Sequence, residues 1–176
     1  PIGGYNIIIE NMLKDVEVEL GVDFFANRQE LEASAEKVVF TGMIDQYFDY
    51  KHGELEYRSL RFEHEVLDEE NYQGNAVVNY TEREIPYTRI IEHKHFEYGT
   101  QDKTVITREY PADWKRGDEP YYPINDERNN AMFAKYQEEA AQNDKVIFCG
   151  RLADYKYYDM HVVIERALNV VEEEFK

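Results

Sequence analysis

Val146-Ile-Phe-Cys-Gly-Arg-Leu-Ala-Asp-Tyr-Lys-Tyr-Tyr-Asp-Met160 decides how the chain is read. Residues 146–149 are a short apolar run, the pattern of a buried strand. Gly150 follows at once, where a strand turns sharply or lets a ligand approach the backbone. Asp159 is a residue type that caps helix N-termini. Met160, Val163, Ile164, Ala167, Leu168, Val171 and Phe175 then recur at helical spacing. The stretch predicts a strand, a Gly-Arg corner, a tyrosine-rich loop and a helix start. A helix start presents N–H groups and partial positive charge, suited to a phosphate or an electron-rich carbonyl. An ordinary strand–helix unit with a solvated loop is the plainer reading. Against it, Arg151, Tyr155, Tyr157, Tyr158 and Asp159 crowd into one short span.

Upstream, residues 125–142 predict a helix with an apolar stripe of Met132, Phe133, Tyr136 and Ala140. At the other end, Gly3-Gly4-Tyr5 opens a short helix over 6–13, with no GxGxxG pattern. Residues 16–20 alternate and predict a strand. Gly21 breaks it, and 27–35 predict a short helix or loop. Residues 37–40 read as a buried strand and 43–50 as a helix of about two turns. From Tyr57 the character changes. Residues 57–67, 76–80, 87–96 and 104–110 alternate, separated by turn-forming stretches. That predicts an antiparallel sheet with one wet face. The two ends resemble each other and the middle does not. The fold class expected is α/β with an α+β insertion, the first strands of the α/β part lying upstream of Pro1.

The chain has 176 residues, enough for one domain with a real core or parts of two. Its net charge of -17 repels nucleic acid and anionic membranes. An anionic ligand must therefore be held by a few locally placed arginines. One cysteine excludes an internal disulfide. No long apolar run and no signal peptide is present. The opening Pro1-Ile-Gly-Gly, without Met, reads as a piece cut from a longer polypeptide.

Arg89 lies mid-strand, with Tyr87 and Ile91 on the same face. A strand arginine beside a tyrosine can clamp a phosphate bidentately; pairing with one of the many carboxylates is the plainer reading. His93 and His95 share one strand face, a spacing some metal sites use, but no third ligand is identifiable and no metal is expected. Cys149 ends an apolar strand and reads as a buried structural thiol. No Ser-His-Asp motif, phosphate loop or paired-cysteine motif occurs.

Several strings together resemble the bacterial UDP-galactopyranose mutase family. They are Gly53-Glu-Leu-Glu-Tyr-Arg-Ser-Leu-Arg-Phe62, Asn71-Tyr-Gln-Gly-Asn-Ala-Val-Val-Asn-Tyr80 and Pro86-Tyr-Thr-Arg-Ile-Ile-Glu-His-Lys-His-Phe96. Glu109-Tyr-Pro111, Glu119-Pro-Tyr-Tyr-Pro123 and Gly150-Arg-Leu with Tyr155-Lys-Tyr-Tyr-Asp-Met160 complete the set. The resemblance runs in order through nearly the whole chain and corresponds to the C-terminal portion of the family's polypeptide.

The resemblance implies an FAD enzyme that interconverts UDP-galactopyranose and UDP-galactofuranose through a flavin N5–sugar adduct, with reduced FAD as the active form. It divides the chain into 1–50 as part of an FAD-binding, Rossmann-like domain, 51–125 as an antiparallel sheet domain for substrate, and 126–176 as a helix and a return to the FAD-binding domain. It makes Arg89 the diphosphate-binding arginine and catalytic residue. Tyr122 and Tyr157 become phosphate-contacting tyrosines. Asn79 and Arg58 border the sugar nucleotide. Arg151, Tyr158, Asp159, Met160, His161, Val162 and Val163 fall at the flavin, and Phe24 lends backbone groups to the adenine. UDP-galactose is the implied substrate, and the implied setting is a homodimer in a bacterial cytoplasm, without nucleic acid or membrane. Because the GxGxxG segment would precede Pro1, the chain alone is expected to be inactive. Two alternatives remain open: a flavin oxidoreductase of the same fold, and a non-catalytic sugar-nucleotide-binding module.

Overall fold

Helices α1 (Asn6–Met12) and α2 (Phe24–Ser34) precede strand β1 (Val38–Phe40) and the one-turn helix α3 (Ile44–Tyr47). Strands β2 (Tyr57–Leu67), β3 (Val77–Asn79), β4 (Arg89–Glu92), β5 (Thr104–Asp113) and β6 (Tyr122–Pro123) follow. Helix α4 (Glu127–Ala140), strand β7 (Val146–Phe148) and helix α5 (Met160–Glu174) complete the order. The structure is a computed structural model that describes residues 3–175; Pro1, Ile2 and Lys176 lie outside the described residues. The fold is mixed α/β with an antiparallel sheet. The chain divides into two compact units, one of residues up to 23 with Leu60–Ala112, the other Phe24–Ser59 with the residues from Asp113 on.

In the second unit β1 and β7 pair in parallel, Val38 with Val146 and Phe40 with Phe148. Strand β6 pairs antiparallel with the first residues of β2, Arg58 opposite Tyr122. The core gathers Ile44, Leu55, Tyr57, Phe133, Tyr136 and Tyr155 in one cluster and Phe40, Tyr47 and Val146 in another. Helix α4 forms where predicted. Asp126 caps it, accepting the Asn129 N–H at 2.7 Å, and Phe133 and Tyr136 turn inward one turn apart. The buried Tyr136 Oη donates to the Gly53 carbonyl at 2.7 Å and accepts from the His52 N–H at 3.1 Å. These bonds offset the cost of burying the phenol oxygen.

In the first unit the strand order is β3-β4-β5-β2. Val77 faces Ile91, Asn79 faces Arg89, and Arg89 faces Glu109. Ile90 and Ile106 are fully buried on one face. Glu92 is fully buried beside them. It accepts the N–H groups of Tyr72 (3.0 Å) and Gln73 (2.8 Å) and the Thr104 hydroxyl (2.7 Å), and pairs with His95 at 3.1 Å.

Several expectations need correction. Residues 16–20 form no strand: Val16, Val18 and Leu20 stay exposed, and alternation without a pairing partner does not make a ladder. Helix α2 starts at Phe24 rather than at Asn27. The helix expected over 43–50 ends after Tyr47, because Asp49 and Tyr50 adopt φ of 52° and 56°. The strand expected over 87–96 stops at Glu92, and His93–Phe96 turn as a 3₁₀ helix, so His93 and His95 do not share a strand face. Helix α5 forms, but its expected apolar stripe is largely exposed, Leu168 by 61%, while Val170 is the buried residue.

Candidate functional site

The candidate residues fall in both units, and each group stands by itself. In the second unit, Arg58 and Tyr122 are cross-strand neighbours on β2 and β6. The Tyr122 and Tyr157 rings lie 5.5 Å apart at 31°. The Arg151 guanidinium sits 5.1 Å from the Tyr157 ring, within cation–π reach, and donates to the Tyr121 carbonyl at 2.6 Å. Four residues singled out in the sequence are thus linked, Arg58 to Tyr122, Tyr122 to Tyr157, and Tyr157 to Arg151.

The loop that brings Tyr157 there is set by its backbone. Gly150 has φ of 98° and Tyr155 has φ of 47°. A left-handed conformation costs a residue with a Cβ about 1–2 kcal/mol. Tyr155 offsets this by burial and hydrogen bonding. It is 1% exposed; its Oη donates to the Glu56 carbonyl at 2.5 Å and accepts from the Ile124 N–H at 3.1 Å. Burial pushes its pKa well above the ordinary phenol range. The phenol fastens the loop to Ile124, next to the end of β6.

At the residues expected near a flavin, Tyr158 Oη donates to Asp154 Oδ2 at 3.2 Å. Asp159 is the N-cap residue of α5, but its side chain makes no cap bond; its carbonyl accepts from Val162 N–H (3.0 Å) and Val163 N–H (3.1 Å). Met160 and His161 are exposed, and Val162 and Val163 half-buried. Phe24 opens α2, half-buried, with its ring packed on Phe40 at 5.1 Å and stacked on Tyr47 at 6.3 Å.

In the first unit, Asn79 on β3 faces Arg89 on β4, and Arg89 faces Glu109 on β5. The Arg89 side chain is 39% exposed, but its Nε is buried and has no hydrogen-bond partner; Glu109 Oε1 stands 3.8 Å away. Glu109, itself buried, accepts from the Thr88 hydroxyl at 3.3 Å. In the sequence, Glu109 figures only within the string Glu109-Tyr-Pro111 and is given no role, although the register of β4 against β5 pairs it with Arg89. Electrostatically, the guanidinium has one charged neighbour and unused donor capacity.

The histidines are engaged separately. His93 Nε2 lies 2.6 Å from Thr107 Oγ1, and His95 Nε2 3.1 Å from the Glu92 carboxylate. Among the described residues no group of three or more His, Cys, Asp or Glu is placed to hold a metal ion. Cys149 is a buried free thiol whose pKa burial raises. No helix of the described residues is long and apolar enough to cross a membrane.

The family model described as UDP-galactopyranose mutase matches residues 1–157. The chain belongs to the UDP-galactopyranose mutase family. A dTDP-fucopyranose mutase of Escherichia coli is 35% identical over 178 residues, 98% of this chain and 47% of that protein. A "Probable UDP-galactopyranose mutase" of Klebsiella pneumoniae is 36% identical over 173 residues, 97% of this chain and 44% of that protein. A UDP-galactopyranose mutase of Mycoplasma pneumoniae is 35% identical over 188 residues, 98% and 47%. The chain spans about half the length of these relatives. Within the family match lie Asn79, Arg89, Tyr122, Arg151 and Tyr157; Tyr158 to Val163 lie beyond it.

Proposed function

We propose that this chain is the part of a flavin-dependent UDP-galactopyranose mutase that holds the substrate diphosphate and one edge of the flavin. The observation that carries the reading is Arg89: a half-exposed guanidinium whose buried Nε has no hydrogen bond. A buried donor left unpaired costs about 1–3 kcal/mol. Glu109, at 3.8 Å, is its charged neighbour but makes no hydrogen bond to it, and a phosphate drawn to the exposed part of the guanidinium adds a hydrogen-bonded one.

The chain's own residues have positional and electrostatic roles in this reading. Arg89 is a fixed positive charge for the diphosphate, and Asn79, opposite it, offers an amide to the sugar nucleotide. Tyr122 and Tyr157 donate their phenols to phosphate oxygens, and Arg58 borders them on β2. Donors fixed in place before the nucleotide departs stabilise its charge without reorganising and keep it ready to return. Arg151 and the start of α5, with exposed Met160 and His161, fit the polar edge of a flavin. Phe24 offers backbone groups to the adenine. When bound, reduced FAD supplies the nucleophile for the anomeric carbon of the sugar.

The rest of the reading follows from the same assignment. Residues 1–50 and 126–176 belong with a Rossmann-like FAD-binding domain and 51–125 with a substrate domain. The full-length protein is a cytoplasmic homodimer. A second substrate has support of its own, because a relative named for dTDP-fucopyranose is as similar as those named for UDP-galactopyranose. Anaerobic incubation of the full-length protein with dithionite, offering the UDP and dTDP sugars separately, tests both. Conversion of the UDP sugar only with reduced flavin is expected. Conversion of the dTDP sugar alone would transfer the assignment to that substrate, and conversion of neither would remove the mutase reading.

A further inference from the structure

We propose that Asp154 is the positioning residue of the Arg151–Tyr157 pair, which makes it a determinant of nucleotide binding although it stands outside the binding residues. The proposal rests on the assignment of Tyr157 to the diphosphate. One oxygen of Asp154 gathers three donors, from the two ends of its own loop and from α5. Oδ2 accepts from the Gly150 N–H at 3.0 Å, the Tyr158 hydroxyl at 3.2 Å and Arg166 Nε at 3.3 Å. The Asp154 N–H in turn donates to the Gly150 carbonyl at 2.8 Å, so residues 150 and 154 close on each other. The side chain is 17% exposed.

The placement of these donors gives Asp154 its effect. Gly150 immediately precedes Arg151, and Tyr158 immediately follows Tyr157. Arg166 lies well inside α5, so the carboxylate ties both ends of the loop to the body of a helix. The 5.1 Å contact of Arg151 with Tyr157, and through it the 5.5 Å contact of Tyr157 with Tyr122, spans the loop that Asp154 closes. Without the carboxylate, the Gly150 corner, with φ of 98°, and the Tyr158 end lose their common anchor. Tyr155, fastened independently to Glu56 and Ile124, keeps the loop folded. Arg151 and Tyr157 would then remain in the fold but lose their fixed spacing.

A double-mutant cycle on UDP binding tests this, measured by calorimetry on the full-length protein with Asp154→Ala, Tyr157→Phe and the two combined. Asp154→Ala is expected to weaken UDP binding about tenfold in the unmodified background and less than about threefold when Tyr157 is already Phe. An equal loss in both backgrounds would mean that Asp154 acts on the fold at large and would overturn the proposal. So would no loss in the unmodified background while Tyr157→Phe weakens UDP. If Tyr157→Phe binds UDP as tightly as the unmodified protein, it is the assignment of Tyr157 that fails. Should Asp154→Ala not fold, Asp154→Asn enters the same cycle. Its amide oxygen still accepts from Gly150, but the charge facing Arg166 is gone, and the outcomes read the same way.

Discussion

Replacing Glu92 by Gln should loosen the sheet of the first unit severely while changing one atom. Burial alone would raise the pKa of this carboxyl, but the N–H groups of Tyr72 and Gln73, the Thr104 hydroxyl and the nearby His95 overrule it and push the value down to about 2. Against an ordinary 4.5, that is roughly 3 kcal/mol of stability at neutral pH. An amide cannot keep it. Oε1 accepts from Tyr72 and Thr104, and Oε2 from Gln73 and pairs with His95. Whichever way the amide turns, its NH₂ meets a backbone N–H. The pH dependence has a definite sign. The unfolded chain binds the proton below about 4.5 and the folded chain only near 2, so the contribution is complete above about pH 5 and lost as pH falls towards 2. Amide hydrogen exchange on β4 and β5 is the assay, since the one tryptophan, Trp114, lies in the other unit. Glu92→Gln should lower protection there roughly 100-fold at pH 7, and the gap should narrow to about tenfold at pH 3 and close as pH falls below about 2. A change under about threefold at pH 7, or a gap that stays constant with pH, would refute the reasoning.

Gly150→Ala should cost about 1–2 kcal/mol in urea unfolding, since its φ of 98° is left-handed while the new Cβ meets Thr41 Cβ at an ordinary 3.4 Å. Tyr155→Phe should cost about 1 kcal/mol by Trp114 fluorescence, at the low end because the Ile124 N–H keeps its 3.0 Å bond to the Glu56 carbonyl. The 176-residue chain alone, supplied with reduced FAD and UDP-galactofuranose, should show no turnover by chromatography.

Much of the fold was readable because local pattern and tertiary context agree. Residues 57–67 alternate and form β2 over that span. The apolar runs at 38–40 and 146–148 pair with each other in parallel. Pattern failed where the outcome depends on partners or on backbone sign. Residues 16–20 alternate as well as β2 does but pair with no strand among the described residues. At 93–96 the alternation continues in the letters, while the chain closes on itself through the Lys94 carbonyl, which accepts from Glu97 and Gly99. The site divides in the same way. Asn79 and Arg89 come together through simple strand register, which alternation foreshadows. The orphaned Nε of Arg89 and the anchoring of left-handed Tyr155 depend on contacts distant in sequence, and the three donors on Asp154, though local, meet on one oxygen through the backbone turn at Gly150; no spacing rule points to any of them.

The central claim is that Arg89 is held ready for a phosphate rather than used by the fold. Arg89→Ala in the full-length protein, with UDP calorimetry and a urea midpoint taken on the same sample, tests it most directly. A charged hydrogen bond of about 1.5–3 kcal/mol predicts UDP binding weaker by roughly 10- to 150-fold, with the midpoint lowered only modestly by the loss of the 3.8 Å neighbour of Glu109. UDP bound as tightly as before, or a midpoint that collapses with it, would contradict the claim and return Arg89 to the role of a strand residue paired with Glu109.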